Sequence, residues 1–320
     1  MEALLSYFFE KFSESERNSL HARYKRQVMV EYFNTLIEGC RLGENVSSEK
    51  VVREAIREIL RFHEKARREN GNVCLMGKYH DILYIAIKLC YDWELKDTQM
   101  VATLLDAIFS CEHTFERIFI GALFGTRAPF YIAGWKSDFR DQEENLRAVV
   151  YYLDHATNAS LEYEYLIEKL RFIDVPIESC GKMTPLKISI QLGLPDKMLI
   201  LLRYGATINK NDDDDVLMWL INKLSEFKGR YPYNFVACLQ ILLRVLPRSF
   251  QKDDLIEDYS ELITHGVVPP TRCGLIPAEL KHLCRCVIRK RLWENYELPG
   301  GIRKLPIPKI LFRYLDIMED

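Results

Sequence analysis

Residues 181–206 read as two short helices joined by a tight turn, and that reading constrains everything around them. The run is Gly181-Lys182-Met183-Thr184-Pro185-Leu186-Lys187-Ile188-Ser189-Ile190-Gln191-Leu192-Gly193, followed by Met198-Leu199-Ile200-Leu201-Leu202-Arg203-Tyr204-Gly205-Ala206. Thr184 can accept a bond from a helix N–H that has no partner in its own helix. Pro185 then falls at an early helical position, where its missing N–H costs nothing. Gly193 breaks between the helices, Leu199, Leu201 and Leu202 fill the second one, and Gly205 supplies the left-handed end cap that a Cβ would penalise. A lone pair of this size cannot bury its own faces, so further pairs must stack on it.

With Gly181, Thr184, Pro185, Leu186, Gly193 and Gly205 in this order, the run resembles an ankyrin repeat. It departs from the usual pattern at Lys187, where a histidine is common, and at Ser189, where a small alanine is common. Degenerate copies are Asp81–Cys90 with Met100–Leu105, Arg127–Gly134 with Leu146–Leu153, and Asp215–Ile221 with Phe235–Leu243. Their starts, near 80, 127, 183 and 214, are uneven against the usual ~33-residue period, and insertions near 91–98, 135–145 and 225–234 account for part of that. The resemblance implies an all-α fold, an irregular ankyrin-like helical solenoid over residues 73–246. Residues 1–72 form an N-terminal helical region. One apolar face there is Leu4, Leu5, Phe8, Phe9 and Phe12; a second is Val28, Tyr32, Leu36 and Ile37, ended by Gly39; a further helix starts at Ser47–Val51. Residues 247–274 are a linker broken by Pro and Gly, with a short helix near Asp253–Ile263.

Residues 275–320 carry a different signal. Apolar side chains at 280, 283, 284, 287, 288 and 292 follow helical spacing. At about 100° per residue they spread over a stripe of about 180°, wider than the ~100° that one core needs. Such a helix calls for two apolar neighbours. The expectation is that Leu283 and Val287 face the chain's own core and that Leu280, Cys284 and Ile288 face another chain, with His282, Arg285 and Arg289 on the far side. Pro277 is expected in the first helical turn, Pro299-Gly300-Gly301 ends the helical stretch, and the prolines hold Leu305-Pro306-Ile307-Pro308 extended.

Leu280-x-x-Leu283-Cys284-Arg285-x-x-Ile288, then Leu305-Pro306-x-Pro308 and a short closing helix with Tyr314-Leu315, resembles a three-helix SOCS box. Glu279 stands where Ser, Thr or Pro is usual. The resemblance implies that Leu280, Leu283, Cys284 and Ile288 bind Elongin C, and that Leu305, Pro306, Ile307 and Pro308 help select a cullin, cullin-5. A repeat stack followed by this box resembles the ankyrin-repeat and SOCS-box family. That family implies a substrate-recognition subunit working with Elongin B and Elongin C, with cullin-5 and its RING subunit, and with an unknown protein substrate. The alternatives are an ankyrin-repeat interaction scaffold that joins no ligase, and an Elongin-bound protein that uses cullin-2 or no cullin. Candidates for holding a substrate are Trp135, Phe139, Tyr231 and Tyr233 in the insertions, with burial in the stack as the equal alternative for each.

Composition excludes other classes. Net charge of −2 supplies no excess of Lys and Arg for a nucleic-acid backbone. No apolar run reaches the ~18 residues of a membrane helix. The first residues lack the basic stretch of a signal peptide, and Glu2 excludes N-myristoylation. Nine cysteines at positions 40, 74, 90, 111, 180, 238, 273, 284 and 286, mostly inside apolar helical patterns, read as reduced small hydrophobes in a cytoplasmic or nuclear protein. Cys273, His282, Cys284 and Cys286 suggest zinc, but a Cys-x-Cys in a helix points its thiols about 200° apart, and the set is rejected. His63 and His80 are assigned to helix edges, and Asp212–Asp215 to a solvated turn; no metal and no cofactor is expected. There is no Gly-x-Gly-x-x-Gly opening a helix after a strand, no Walker loop and no His-Glu-x-x-His, so no residue is assigned a catalytic role.

Overall fold

A computed structural model describes residues 2–44, 47–125, 137–208, 216–247, 256–272 and 275–320. The fold is all-α, with one two-stranded sheet among the described residues. The chain divides into two compact units: Met1–Phe172 with Ile177–Ser179, and Ile173–Pro176 with Cys180–Asp320. No described helix is long and apolar enough to cross a membrane.

The first unit holds α1 (Glu2–Glu14), α2 (Arg23–Glu44), α3 (Ser48–Glu69), α4 (Lys78–Asp92), α5 (Thr98–Glu112), α6 (Glu116–Phe124) and α7 (Gln142–Asn158). Its centre is α4, which packs against α2, α3 and α5. Ile82, Leu83, Ile85, Ala86, Leu89 and Cys90 are all fully buried, as expected of a helix that is apolar on every side. Leu5, Phe9 and Phe12 are buried on α1, while Leu4 is exposed. On α2 the buried apolar residues are Val30, Phe33 and Ile37, and the expected Val28 and Tyr32 are exposed. Two contacts set that rotation: the Phe33 ring packs on Phe8 and Phe9, and Arg26 makes a buried ion pair with Asp138 at 2.8 Å. The helix also runs through Gly39 to Glu44 rather than stopping there.

Buried Lys78 donates to the carbonyls of Phe12, Ser13 and Ser15, at 2.9, 2.7 and 2.5 Å, placing a cation at the C-terminal end of α1. After α7 the chain makes a hairpin of β1 (Glu162–Tyr165) and β2 (Glu168–Arg171), antiparallel with Tyr163 opposite Leu170.

The second unit holds α8 (Pro185–Gln191), α9 (Pro195–Arg203), α10 (Val216–Ser225), α11 (Tyr233–Leu243), α12 (Ile256–Thr264), α13 (Leu280–Glu294) and α14 (Ile310–Leu315), with a 3-10 turn at Gly300–Lys304. The Thr184 hydroxyl accepts the Lys187 N–H at 3.3 Å, and Pro185 opens α8. Gly205 has φ +80, and a Cβ there would lie 2.5 Å from Trp293 Cδ1. The glycine therefore ends α9 and also lets the indole of α13 approach its backbone.

Helix pairs α4/α5, α6/α7, α8/α9 and α10/α11 pack as consecutive partners. In the second of these α6 precedes the segment expected from sequence. Residues 127–134, Trp135, Asp212–Asp215 and Cys273 lie outside the described residues.

Candidate functional site

Helix α13, the 3-10 turn and α14 enclose a small core of Leu292, Leu298, Ile302, Tyr314 and Leu315, with Ile288, Trp293, Leu305, Ile307 and Phe312 packed against it. The helix is inverted relative to the usual amphipathic arrangement. His282 and Arg285 are 0% exposed and Arg289 is 6% exposed, whereas Leu280 is 76%, Val287 62% and Leu283 37% exposed. Cys284 is also exposed and Ile288 is half-buried. This corrects two expectations: the polar side chains face the molecule, and Leu283 and Val287 do not reach its core.

Hydrogen-bond acceptors explain the inversion. Arg289 donates to Leu315 O at 2.9 Å and to Leu202 O at 2.6 Å, so one guanidinium serves the C-terminal carbonyls of both α14 and α9. Burial pushes this guanidinium down to about 10, with Asp316 opposing the fall. Arg285 donates to Asp320 Oδ1 at 2.8 Å and to Glu319 O at 3.2 Å, and its guanidinium lies 4.2 Å from the centre of the Tyr314 ring. Burial alone would raise the Asp320 carboxyl, but the hydrogen bond from Arg285 and the charges of Arg285, Arg272 and Arg244 outweigh it and hold it below the ordinary value. His282 Nδ1 lies 3.1 Å from Arg285 Nη2, and its Nε2 lies 2.9 Å from Leu246 O. Arg285 can only donate, so Nδ1 accepts and Nε2 carries the proton. Burial lowers the His282 pKa, consistent with this neutral tautomer.

The outer face takes no part in the packing among the described residues. Leu280, Leu283, Cys284 and Val287 project within about 100° of one another around the helix axis, and exposed Leu275 and Ile276 precede them. Such a surface can bury itself only against an apolar groove. The helix begins at Leu280 with extended Glu279 before it, so Pro277 precedes the first turn rather than lying in it. It ends at Glu294, five residues short of Pro299.

Among the cullin-type residues, Leu305 and Ile307 turn inward onto the core while Pro306 and Pro308 are exposed. The segment is bent rather than extended throughout. Ile307 N–H donates to Leu305 O at 2.8 Å, a three-residue turn centred on Pro306, whose fixed φ suits it.

The substrate candidates separate. Phe139 is buried against Tyr91, the burial left open as its alternative; Tyr231 is half-buried, its hydroxyl 3.1 Å from His265 Nδ1; Tyr233 is 81% exposed. The hairpin tip was missed: Leu166 is 81% and Ile167 98% exposed. The alternation Glu162-Tyr163-Glu164-Tyr165 is the strand signal that marks it. Cys284 is exposed and Cys286 is half-buried, its Sγ 3.7 Å from His282 Nε2.

Comparison with known proteins agrees with the box. The family description "SOCS box" matches residues 276–316. The chain is 29% identical over 152 residues to Ankyrin repeat and SOCS box protein 17 of Bos taurus and 28% identical over 152 residues to that of Mus musculus, covering 42% of this chain and 50% of each relative. The protein of that name from Homo sapiens is 29% identical over 149 residues. The chain thus spans about half the length of the curated relatives it matches. No solved structure matches it.

Proposed function

From a chain that carries a SOCS box and is related to the ankyrin-repeat and SOCS-box proteins, we propose a substrate-recognition subunit of an Elongin B/C–cullin-5 ubiquitin ligase acting in the cytoplasm and nucleus. The observation that carries this reading is the inverted helix α13. A chain that spends two arginines and a histidine on internal anchoring, and leaves Leu280, Leu283 and Val287 in water, presents a face made for a second apolar surface.

In this reading Leu280, Leu283, Cys284 and the outer edge of Ile288 seat in an Elongin C groove, and Val287 joins them. Exposed Pro306 and Pro308 meet cullin-5, with Leu305 and Ile307 holding that turn on the box core. The chain supplies no ubiquitin chemistry. It binds a target through exposed repeat surfaces such as Tyr233 and the Leu166-Ile167 tip, and tethering raises the target's effective concentration at the RING subunit.

The test is co-expression with Elongin B and Elongin C. The three should co-purify, and Leu280→Asp should remove the Elongins while leaving the chain's melting temperature unchanged, because Leu280 is 76% exposed. A carboxylate forced into an apolar groove costs about 3 kcal/mol or more, over a hundredfold in affinity. Pro306→Ala with Pro308→Ala should retain Elongin and lose cullin-5. A wild-type chain that is monodisperse alone and ignores the Elongins would leave the scaffold reading in place instead.

A further inference from the structure

We propose that His63, Cys74, His80 and Cys111 form a structural zinc site in the first unit. The four come from α3, the α3–α4 loop, the first turn of α4 and the last turn of α5, and one ligand atom of each lies within 4.8 Å of all the others. Both histidines, expected at helix edges, are buried at 2% and 1% exposure. His63 Nε2 is 3.3 Å from Cys111 Sγ and 3.7 Å from Cys74 Sγ. Metal–sulfur bonds of about 2.3 Å and metal–nitrogen bonds of about 2.0–2.1 Å, arranged tetrahedrally, place neighbouring N and S ligands about 3.6 Å apart.

Three further features belong to a metal site rather than to a core of chance polar residues. His80 Nδ1 is buried and makes no hydrogen bond, while its Nε2 lies 2.6 Å from Glu112 Oε1. A carboxylate behind the far nitrogen fixes the ring and turns the other nitrogen's lone pair toward a metal. Glu112 is itself fixed by the Tyr84 hydroxyl, 2.6 Å from its Oε2. The loop is shaped for the thiol as well: Met76, at φ +57, donates its N–H to Cys74 Sγ at 3.4 Å. That left-handed conformation is uncommon for methionine and is held in place by the next residues, where Gly77 also has φ +59 and Lys78 N–H donates to Arg17 O at 2.7 Å.

Two thiols lose their protons on binding, so two thiolates, two neutral imidazoles and one Zn²⁺ sum to zero charge, which suits a buried site. Two sulfurs and two nitrogens in a tetrahedron are a zinc set, and four protein ligands leave no open position for catalysis. The ion would staple α3, α4 and α5 together. This inference is independent of the proposed ligase role.

The experiment uses the full chain purified with its thiols reduced. Metal analysis and native mass spectrometry should give a 1:1 zinc complex. Removing zinc with a chelator should lower the melting temperature, and adding zinc back should restore it. Replacing zinc with Co²⁺ should give the visible absorption of tetrahedral cobalt and a thiolate-to-cobalt band. That band should weaken in Cys74→Ser and in Cys111→Ser and persist in Cys40→Ser. Glu112→Gln should weaken zinc binding about 10–100-fold. The proposal is overturned if the folded, reduced wild-type chain takes up no stoichiometric zinc, if metal stays bound in the Cys74→Ser/Cys111→Ser double variant, or if the two cysteines prove to be joined as a disulfide. The chelator and cobalt measurements use the wild-type chain, so they decide the matter even if a variant fails to fold.

Discussion

Arg289→Met tests whether the polar side of α13 is what holds the box. The guanidinium donates to Leu202 O at 2.6 Å and Leu315 O at 2.9 Å, and the residue is 6% exposed. Methionine approximates the stem and brings no donor. Leu315 O would be left without a partner, at about 1–3 kcal/mol, while Leu202 O keeps the Gly205 N–H at 3.0 Å and loses only a second bond worth about 1 kcal/mol, for about 2–4 kcal/mol together. Against this stands relief of the burial cost of the charge, visible in the fall of the Arg289 pKa to about 10. A net loss of about 1–3 kcal/mol remains. Hydrogen exchange reads it locally: opening of residues 288–294 should become about 5- to 150-fold more frequent, since about 1.4 kcal/mol is tenfold. Arg289→Lys should recover only part, because one ammonium cannot span two carbonyls as the planar fork does. Protection within threefold of wild type in Arg289→Met would show that the carbonyls find water, and that the inversion of α13 has another cause.

Two predictions address other parts of the same unit. Gly205→Ala should cost about 1–2 kcal/mol for a left-handed alanine and a further ~1–3 for crowding Trp293, whereas Gly181→Ala, at φ +70 with nothing within 4 Å of its Cβ, should cost only the first part; equal melting temperatures for the two variants would refute the close-approach role. Acid should loosen the box in two stages. His282 and Asp320 both have folded values below their ordinary ones, so each stabilises most above its unfolded value and loses that contribution as pH falls: His282 below ~6.5, Asp320 below ~4. Constant exchange protection of the box between pH ~7 and ~5 would contradict the His282 stage.

The parts of the fold that were legible in the sequence are those whose chemistry is local. Thr184, Pro185 and Gly205 act within a few residues of themselves, and the structure has the cap bond, the opening proline and the positive φ where they were expected. The all-round apolar run of α4 needs no partner to be named before it can be assigned to an interior. The rotation of α2 was not legible, because Val28 and Val30 are equally apolar and the choice is made by Asp138, more than a hundred residues away. The set His63, Cys74, His80 and Cys111 has gaps of 11, 6 and 31 residues and no repeating pattern, so only the folded chain shows them together.

Helix α13 shows why a periodic pattern can name a face and still leave its direction open. Its stripe was read from Leu280, Leu283, Cys284, Val287, Ile288 and Leu292; the first four share the outer side, Ile288 lies at the edge against the box core, and Leu292 is buried in that core. Which side points inward depends on what the rest of the molecule offers. An apolar groove would attract the leucines; the carbonyl ends of α9 and α14, the backbone of Leu246 and the carboxylate of Asp320 attract arginine and histidine instead. Losing these bonds, with the Leu315 carbonyl left unpaired, costs several kcal/mol together, comparable with burying two leucine side chains at about 1.5–3 kcal/mol each. The two orientations therefore lie close in energy for the chain alone, and the internal acceptors decide between them. Once they have done so, Ile288 and Leu292 still serve the box core, and the same helix holds Leu280, Leu283, Cys284 and Val287 outward as an exposed apolar face.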